Sequence, residues 1–343
     1  MKALVLEQYK HFVYKEVPAP RIGPDDVLLQ VKACGICGSD IHGMDGSTGR
    51  RIPPVIMGHE AAGVIVEAGA NVKGWQPGDR ATFDSTIYCG DCFYCRRGES
   101  NLCENRRILG VSCAEFRQDG AFAEYVAVPQ RVLYRLPEGL SFERATMVEA
   151  LSIAFHAAGR TPIRLNDSVL VVGAGMIGLL VVQTLRAAGC GRIMVADLDP
   201  TRLEMARKLG ADDALNSCTE DVVAEVLQRT EGRGADLTFE VVGIAPTVKL
   251  AIQCVRKGGS VTLVGNLAQS VEMPLQAVVT RQVSLIGTCA SNGEYPACLD
   301  MIARGAIDVD ALISAVAPLS DGASWFERLH KGEPGLMKVV LVP

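Results

Sequence analysis

The chain has 343 residues, of which 48% are hydrophobic and 35 are glycine, and it carries a formal net charge of -5. This length suffices for two domains with separate cores. The acidic balance leaves no broad basic surface, which argues against nucleic acids and anionic membranes as partners. No apolar signal-peptide core occurs in the opening residues, MKALVLEQYKHFVYKE, so we expect a cytoplasmic protein.

The first part of the chain is predicted to be rich in β-strands. Short apolar or alternating stretches that are separated by Gly, Pro and Asp are typical of a compact barrel or sandwich. Such stretches occupy residues 3–6, 27–31, 61–68 and 80–83.

Two candidate metal ligands lie within this β-rich part. Cys37 opens the stretch Cys-Gly-Ser-Asp-Ile-His, and His59 lies further on in Gly-His-Glu. A thiolate and an imidazole on separate loops form an open zinc site when a carboxylate and a water complete the tetrahedron. Glu60 can supply the carboxylate only if the backbone bends, because adjacent residues of a regular strand point to opposite faces. Glu149 competes as a carboxylate in apolar surroundings that needs a partner. Glu60 is slightly favoured, and the two could exchange.

A second group of cysteines is concentrated in residues 89–103. Four thiolates so close together, in a segment too polar to have its own core, suit a closed structural zinc site. Disulfides are the weaker alternative, because Cys-x-x-Cys in a cytosolic protein usually serves metal or redox chemistry. The four predicted ligands are Cys89, Cys92, Cys95 and Cys103.

The middle of the chain contains a glycine-rich turn between a predicted strand, residues 169–172, and an apolar helix. Gly173 permits the tight turn, Gly175 lets a pyrophosphate approach the backbone, and Gly178 lets the helix pack closely on the strand. The helix begins with Met176 and Ile177, and its N-terminal N–H groups face the phosphates. The pattern predicts a dinucleotide site.

An acidic residue follows the next predicted strand, residues 193–196. Asp197 can accept hydrogen bonds from both ribose hydroxyls of an adenosine and should repel a 2′-phosphate, so the sequence favours NAD over NADP. Arg202 could cover the adenine. Val242 and Gly265 come just after later predicted strands, where ligands collect, and either touch the nicotinamide or only turn the chain.

Strands and helices alternate until about residue 288, which predicts a doubly wound parallel sheet. Further strands are expected at residues 235–240 and 260–264, with a tight turn at Gly258 and Gly259. One helical stretch is expected over residues 141–156. An apolar strand, residues 338–342, ends the chain and could rejoin the first part.

Taken together, these motifs resemble the zinc-dependent medium-chain dehydrogenase/reductase family, and especially its polyol branch of sorbitol and galactitol-phosphate dehydrogenases. The resemblance covers essentially the whole chain, and several motifs in the family's order are more specific than any one alone. They lie at residues 37–42, 58–60, 76–80, 89–103, 120–125 and 173–178.

The resemblance implies a GroES-like β-barrel catalytic domain with an inserted Rossmann domain. The expected boundaries are 1–148 for the catalytic domain, 149–288 for the NAD-binding domain and 289–343 for the return to the catalytic domain. The family commonly forms dimers or tetramers, so we expect a homodimer or homotetramer. Two zinc ions per chain are expected, one catalytic and one structural, together with NAD.

The resemblance also assigns roles around the catalytic zinc. Ser39 matches the residue whose hydroxyl contacts the substrate alcohol, Asp40 the carboxylate behind the ligands, and His42 the outer end of a proton relay. Physical chemistry supports these roles, since zinc lowers the pKa of a hydroxyl group that it binds, and since a carboxylate commonly orients a ligand imidazole. Turn capping is the alternative role for Ser39 and Asp40.

The sequence departs from the sorbitol dehydrogenases at one point. Those enzymes typically carry an Arg-Tyr pair for polyol hydroxyls, and the matching positions here are Ala290 and Ser291. Arg50 and Arg51 could attract a phosphate on the substrate or form a solvated basic turn.

We therefore expect a zinc-dependent, NAD-linked dehydrogenase that oxidises a secondary alcohol of a polyol, sugar or sugar-phosphate-like substrate to a ketone. L-threonine or a simple secondary alcohol is the alternative substrate. An NAD-binding redox sensor without catalysis is the non-enzyme alternative, although the chain keeps every catalytic residue named above.

Overall fold

Both ends of the chain fold together, and the chain between them folds separately. The computed structural model describes residues 1–343. The first unit, called here the terminal unit, contains Met1–Glu149, Tyr295–Gly305 and Val309–Pro343. The second, the central unit, contains Ala150–Glu294 and Ala306–Asp308. Residues 289–294, expected in the catalytic domain, thus belong to the central unit.

Twenty strands run in chain order. They are β1 (Lys2–Gln8), β2 (His11–Glu16), β3 (Asp26–Gly35), β4 (Val55–Ile56), β5 (Glu60–Ala68), β6 (Arg80–Phe83), β7 (Thr86–Ile87), β8 (Arg107–Ile108), β9 (Val111–Ser112), β10 (Arg117–Gln118), β11 (Tyr125–Pro129), β12 (Leu133–Arg135), β13 (Val169–Val172), β14 (Ile193–Asp197), β15 (Asp213–Asn216), β16 (Ala235–Glu240), β17 (Val255–Leu263), β18 (Ser284–Gly287), β19 (Ile313–Pro318) and β20 (Lys338–Val342).

Eleven α-helices accompany the strands, and none of them is both long enough and apolar enough to cross a membrane. The helices are α1 (Gly38–Gly43), α2 (Phe93–Arg96), α3 (Phe142–Ala145), α4 (Val148–Arg160), α5 (Met176–Ala187), α6 (Pro200–Lys208), α7 (Val222–Arg229), α8 (Ala245–Cys254), α9 (Leu275–Thr280), α10 (Tyr295–Ala303) and α11 (Gly322–His330).

The terminal unit is built on a seven-stranded sheet in the order β12-β6-β5-β3-β20-β19, with β11 also paired to β3. Strand β3 alternates buried and partly exposed residues over most of its length, as a strand with one face in the core does. The last strand of the chain, β20, lies between β3 and β19, and Val340 pairs with Gly35. The C-terminus therefore completes a sheet that the N-terminal part begins.

The central unit contains a six-stranded sheet in the order β15-β14-β13-β16-β17-β18, and every pairing in it is parallel. All four residues of β13 are buried, as expected for a strand that helices cover on both faces. The order reverses at β13, where the next strand lies on the other side. The predicted doubly wound sheet is confirmed, and ligands bind such sheets at this reversal.

Two local predictions differ from the structure. The strand expected at residues 260–264 is longer, because β17 begins at Val255 and so includes Gly258 and Gly259. Its pairing with β16 is irregular between Val255 and Ser260, where Gly258 has a φ of +67° that favours glycine. The helix expected over residues 141–156 is two helices, α3 and α4. Apolar spacing alone does not reveal such a break.

Candidate functional site

Helix α1 places the first predicted ligand. Cys37 precedes the helix, and its Sγ accepts a hydrogen bond from the backbone N–H of Ser39 at 3.5 Å. In return, Asp40 Oδ2 accepts one from the backbone N–H of Cys37 at 3.4 Å. This reciprocal arrangement is a capping box with a thiol in place of the usual hydroxyl. It fixes Cys37, Ser39 and Asp40 relative to one another.

The start of β5 places His59 and Glu60. Strand β5 begins at Glu60, so His59 lies before the regular strand and strand alternation does not separate their side chains. The preceding Gly58 has a φ of +95°, which supplies the bend that two adjacent ligands require. The ligand atoms of Cys37, His59 and Glu60 all lie within 4.8 Å of one another.

Asp40 is the buried carboxylate behind this cluster. It is fully buried, its Oδ1 lies 3.4 Å from His59 Nδ1, and Arg51 donates to the same oxygen at 3.0 Å. Burial alone would raise the pKa of Asp40, but His59 and Arg51 lower it to about 2. Burial likewise works against a charged His59, whereas Asp40 and Cys37 raise the pKa of His59 well above its usual value. With Nδ1 directed to Asp40, Nε2 is the nitrogen left for a metal.

Glu60 has a buried partner that the sequence analysis did not name. Lys338, at the start of β20, donates to Glu60 Oε2 and, at 3.1 Å, to the carbonyl of Ile36. The side chains of Lys338 and Glu60 are 3% and 1% exposed. Glu60 Oε1 is buried without a hydrogen-bond partner, so one oxygen of this carboxylate is available to a metal. A lysine in the apolar strand KVVLV was the signal that could have revealed the pair.

Glu149 lies near the cluster but not in it. It is partly buried at the start of α4, and it is not among the residues whose ligand atoms converge. Burial raises its pKa to about 7, against the lowering effect of His59. The geometry thus favours Glu60 as the third ligand, as the sequence did slightly.

The predicted proton relay is only partly assembled. Ser39 is exposed, and its hydroxyl donates to Cys37 Sγ at 3.4 Å, so it lies beside the ligand cluster. His42 is also exposed, and its imidazole has no hydrogen bond to Ser39 or any other residue. Arg51 is buried and paired with Asp40, so neither a phosphate-attracting nor a solvated role fits it. Arg50 is exposed.

The four cysteines of residues 89–103 converge as predicted. Their sulfur atoms lie within 4.8 Å of one another, and no cysteine of the chain forms a disulfide. The backbone N–H groups of Cys95 and Glu104 lower the pKa of Cys92 to about 6, which favours the thiolate that zinc binds. Four thiolates leave no open coordination position, so this donor set fits a structural zinc.

The glycine turn after β13 has the geometry that a dinucleotide requires. Gly173 has a φ of +106°, and a Cβ on Gly178 would lie 1.9 Å from the carbonyl oxygen of Gly173. A Cβ on Gly175 would meet nothing within 4 Å, so the space before α5 is open. Met176 and Ile177 form the first turn of α5 and are partly exposed. The arrangement fits a pyrophosphate against the helix N-terminus.

Asp197, the last residue of β14, lies against this turn. Its Oδ2 accepts a hydrogen bond from the backbone N–H of Ala174 at 2.6 Å, and its Oδ1 accepts one from Leu198 at 2.8 Å. Arg202 is on α6, exposed, with its Nε 3.6 Å from Asp199 Oδ2. An anion at Asp197 is thus fixed beside the glycine turn.

Val242 and Gly265 lie on loops that pack against each other. A Cβ on Gly173 would lie 2.7 Å from Val242 Cγ2, which places Val242 on the glycine turn. A Cβ on Gly265 would lie 2.2 Å from the backbone nitrogen of Gly243. Glu240, which the sequence analysis did not single out, accepts hydrogen bonds from the N–H groups of Val242 at 2.9 Å and Gly243 at 2.8 Å. It shapes this loop.

Comparison with known proteins places the chain in a family. Residues 23–138 match the alcohol dehydrogenase GroES-like domain, and residues 177–304 match the zinc-binding dehydrogenase domain. A sorbitol dehydrogenase from Bacillus subtilis (strain 168) is 33% identical, in an alignment that covers 100% of this chain and 97% of that protein. The chain belongs to the zinc-dependent medium-chain dehydrogenase/reductase family. The predicted family, fold class and enzyme class, an oxidoreductase of the alcohol dehydrogenase type, are confirmed.

Solved structures agree with this assignment. A structure from Sinorhizobium meliloti 1021, described as a zinc-binding dehydrogenase bound to NADP, is 33% identical with a TM-score of 0.91, over 100% of this chain and 99% of that one. An alcohol dehydrogenase from Escherichia coli CFT073, complexed with NADH, is 29% identical with a TM-score of 0.92, over the same shares. Nicotinamide cofactors of both kinds thus occur on this fold.

Proposed function

We propose that this chain catalyses the reversible, NAD-linked oxidation of a secondary alcohol of a polyol, sugar or sugar phosphate to the ketone. The observation that carries the proposal is the convergence of Cys37, His59 and Glu60 within 4.8 Å, with one oxygen of Glu60 buried and without a partner. Three protein ligands of this kind, rather than four, are the donor set of a catalytic zinc. The four cysteines would hold the second, structural zinc.

The chain's own residues hold the reacting groups and move the proton. Zinc bound by Cys37, His59 and Glu60 would act as a Lewis acid that favours loss of the substrate's hydroxyl proton. Asp40 orients the imidazole of His59, and Lys338 holds one oxygen of Glu60, so that both ligands are fixed before substrate binds. Ser39, beside Cys37, would take up the substrate's proton while giving up its own hydroxyl proton, and the exposed His42 would release a proton to solvent once substrate and cofactor complete the path between them.

The cofactor proposed for the glycine turn is NAD. Hydride acceptance is the chemistry that bound NAD supplies. Gly173, Gly175 and Gly178 give the pyrophosphate access to the N-terminus of α5, and Val242 packs on that turn. Asp197 is an anion at the position where NADP would carry its 2′-phosphate, which supports NAD over NADP. Arg202 on α6 is exposed and could cover the adenine.

Two observations support the proposed substrate class: the name of one relative, and one position at which this chain differs from sorbitol dehydrogenases. The Bacillus subtilis relative is named sorbitol dehydrogenase, which supports a polyol. This chain has Ala290 and Ser291 where sorbitol dehydrogenases typically carry Arg and Tyr, so we expect a substrate with a different arrangement of hydroxyl groups than free sorbitol.

A substrate panel tests the proposal. Zinc-loaded protein is assayed by NADH absorbance with polyols, sugars, polyol and sugar phosphates, L-threonine and 2-butanol, each with NAD and NADP in parallel. We expect the highest kcat/KM for a polyol, sugar or polyol phosphate with NAD. Turnover confined to L-threonine or 2-butanol would overturn the substrate class, and a preference for NADP would overturn the role of Asp197.

We also propose that the chain forms a homodimer or homotetramer. Strand β18 is the edge of the six-stranded sheet, and exposed apolar side chains precede it. An uncovered edge strand next to apolar residues is a natural place for another chain to pair. Those side chains are Leu267, Val271, Met273, Leu275 and Val279. Light scattering after size exclusion should give a dimer or tetramer for the natural sequence, and Val279→Glu should weaken it. A monomer at micromolar concentration would contradict this.

A cytoplasmic location is proposed from the cysteines. None of the twelve forms a disulfide, and seven of them lie outside both candidate zinc clusters. Free thiols and thiolate ligands persist in a reducing compartment. Fractionation of cells that express the tagged chain would test the location.

A further inference from the structure

One buried cation beside the ligand cluster has no role in the function proposed above. The side chain of Arg51 is 5% exposed, and its guanidinium donates to Asp40 Oδ1 at 3.0 Å. The same guanidinium lies 3.5 Å from Ser39 Oγ, and it donates to the carbonyl of Arg50 at 3.1 Å. A buried arginine is costly to desolvate unless its partners are fixed. Here the two side-chain partners, Asp40 and Ser39, both belong to α1, the helix that follows the proposed zinc ligand Cys37.

The surrounding chain is fitted to this arginine. A Cβ on Gly43, at the end of α1, would lie 2.4 Å from Arg51 Cγ, so the stem of Arg51 passes where any other residue's side chain would begin. The backbone of Arg51 forms a bridge with Ser112, and Ile52 donates to the carbonyl of Ser112 at 2.8 Å. The backbone is thus fixed on one side and the side chain on the other. Such a fit is not expected of a solvated basic turn.

The charges near the cluster show what Arg51 changes. Cys37, once bound to zinc as a thiolate, would join the carboxylates of Glu60 and Asp40 as a third anion, and the ion pair of Lys338 is with Glu60. Asp40 touches His59 Nδ1 at 3.4 Å, so negative charge on Asp40 makes the imidazole a stronger electron donor. Arg51 donates a hydrogen bond to the same oxygen of Asp40 and thereby limits how strongly Asp40 increases the electron-donating power of the imidazole.

We propose that Arg51 is a positioning residue that tunes the metal site through Asp40, keeping the imidazole of His59 a weaker donor and the bound metal a stronger Lewis acid. This inference rests on the function proposed above. It makes a distinctive prediction: loss of the arginine's charge should slow the reaction without loosening the metal. Removing a cation from the neighbourhood of a metal ion favours metal binding, whereas the loss of a merely structural contact would weaken it.

The experiment compares three variants with the natural sequence. Arg51→Met keeps the length of the stem and removes the charge, and Arg51→Lys keeps the charge. Arg21→Met is the matched control, since Arg21 is exposed in the same unit and forms no hydrogen bond or ion pair. Zinc affinity is measured by competition with a chromogenic chelator, and kcat and KM are measured with NAD and the best substrate of the panel.

We expect Arg51→Met to lower kcat about tenfold, a change of roughly 1.4 kcal/mol in the activation free energy. Its KM for NAD should be unchanged, and its zinc Kd should be equal to or lower than that of the natural sequence. Arg51→Lys should recover most of the lost kcat, and Arg21→Met should match the natural sequence in every measurement. If Arg51→Met does not fold, the test rests on Arg51→Lys alone. The inference then predicts that Arg51→Lys keeps both the kcat and the zinc affinity of the natural sequence.

Two results would overturn the inference. One is an Arg51→Met enzyme with unchanged kcat. The other is a variant in which zinc binding becomes weaker and kcat falls together, because that result marks a structural contact. The variant is Arg51→Met, or Arg51→Lys if Arg51→Met does not fold. Failure of the proposed function looks different, because the natural sequence itself would then show no turnover on the panel.

Discussion

The two clusters of candidate zinc ligands differ in how the chain assembles them. The four-cysteine cluster comes from a single segment, residues 89–103, and most of its members are only partly buried. The cluster of Cys37, His59 and Glu60 joins two segments, and the side chains that support it come from two more, at Arg51 and Lys338. The four-cysteine cluster requires only its own loop and the metal to assemble, whereas the cluster of Cys37, His59 and Glu60 requires the folded terminal unit. Substitutions should therefore separate stability from activity.

The largest effect is expected at Cys37. In Cys37→Ser the catalytic donor set loses its thiolate, and since a Lewis-acidic zinc is worth several kcal/mol, we expect kcat/KM to fall by about 10³-fold or more. Metal analysis should find one zinc per chain, held by the four cysteines. Full activity with two zinc ions would show that Cys37 is not a ligand.

Ser39 tests the same cluster without disturbing the metal. Ser39→Ala removes the hydroxyl that lies 3.4 Å from Cys37 Sγ. Because positioned proton transfer contributes about 10²–10⁴-fold, we expect kcat to fall by at least about 10²-fold with zinc content unchanged. Ser39→Thr, which keeps a hydroxyl, is the control. Equal losses in both variants would contradict a role of the Ser39 hydroxyl in the relay.

Lys338 tests how far the fold supports the cluster. Lys338→Met leaves the buried carboxylate of Glu60 without its cation, and breaking such a pair destabilises a protein by about 3–5 kcal/mol. We expect a lower urea midpoint, which adding Glu60→Gln should partly restore because the unpaired charge is removed. A midpoint that stays at the natural value in Lys338→Met would mean that water replaces the lysine.

The smallest effect on catalysis is expected in the four-cysteine cluster. Cys92→Ser opens the closed site, and since a structural zinc contributes directly to folding, the thermal midpoint should fall by about 5 °C or more. The kcat of molecules that remain folded should change little, because this metal has no free position for substrate. A loss of kcat as large as that of Cys37→Ser would contradict the prediction that the four-cysteine cluster serves stability and not catalysis.

Sequence patterns predicted the local features well. The four cysteines, the glycine turn and the buried strand β13 each depend on residues close together in the chain, so spacing alone was informative. The cluster of Cys37 and His59 was predicted from ligand types and the family resemblance. The ion pairs of Lys338 with Glu60 and of Arg51 with Asp40 were not, because they join positions that only the folded sheet and loops bring together.

The place of β20 between β3 and β19 bears on biosynthesis. This strand follows the whole central unit in the chain, and it brings Lys338 to Glu60. Because synthesis runs from the N-terminus, β20 leaves the ribosome only after the central unit has been made and can already fold. Until then, the sheet has a gap beside β3 and the carboxylate of Glu60 lacks its cation. The ligand cluster therefore matures only after the central unit has been synthesised.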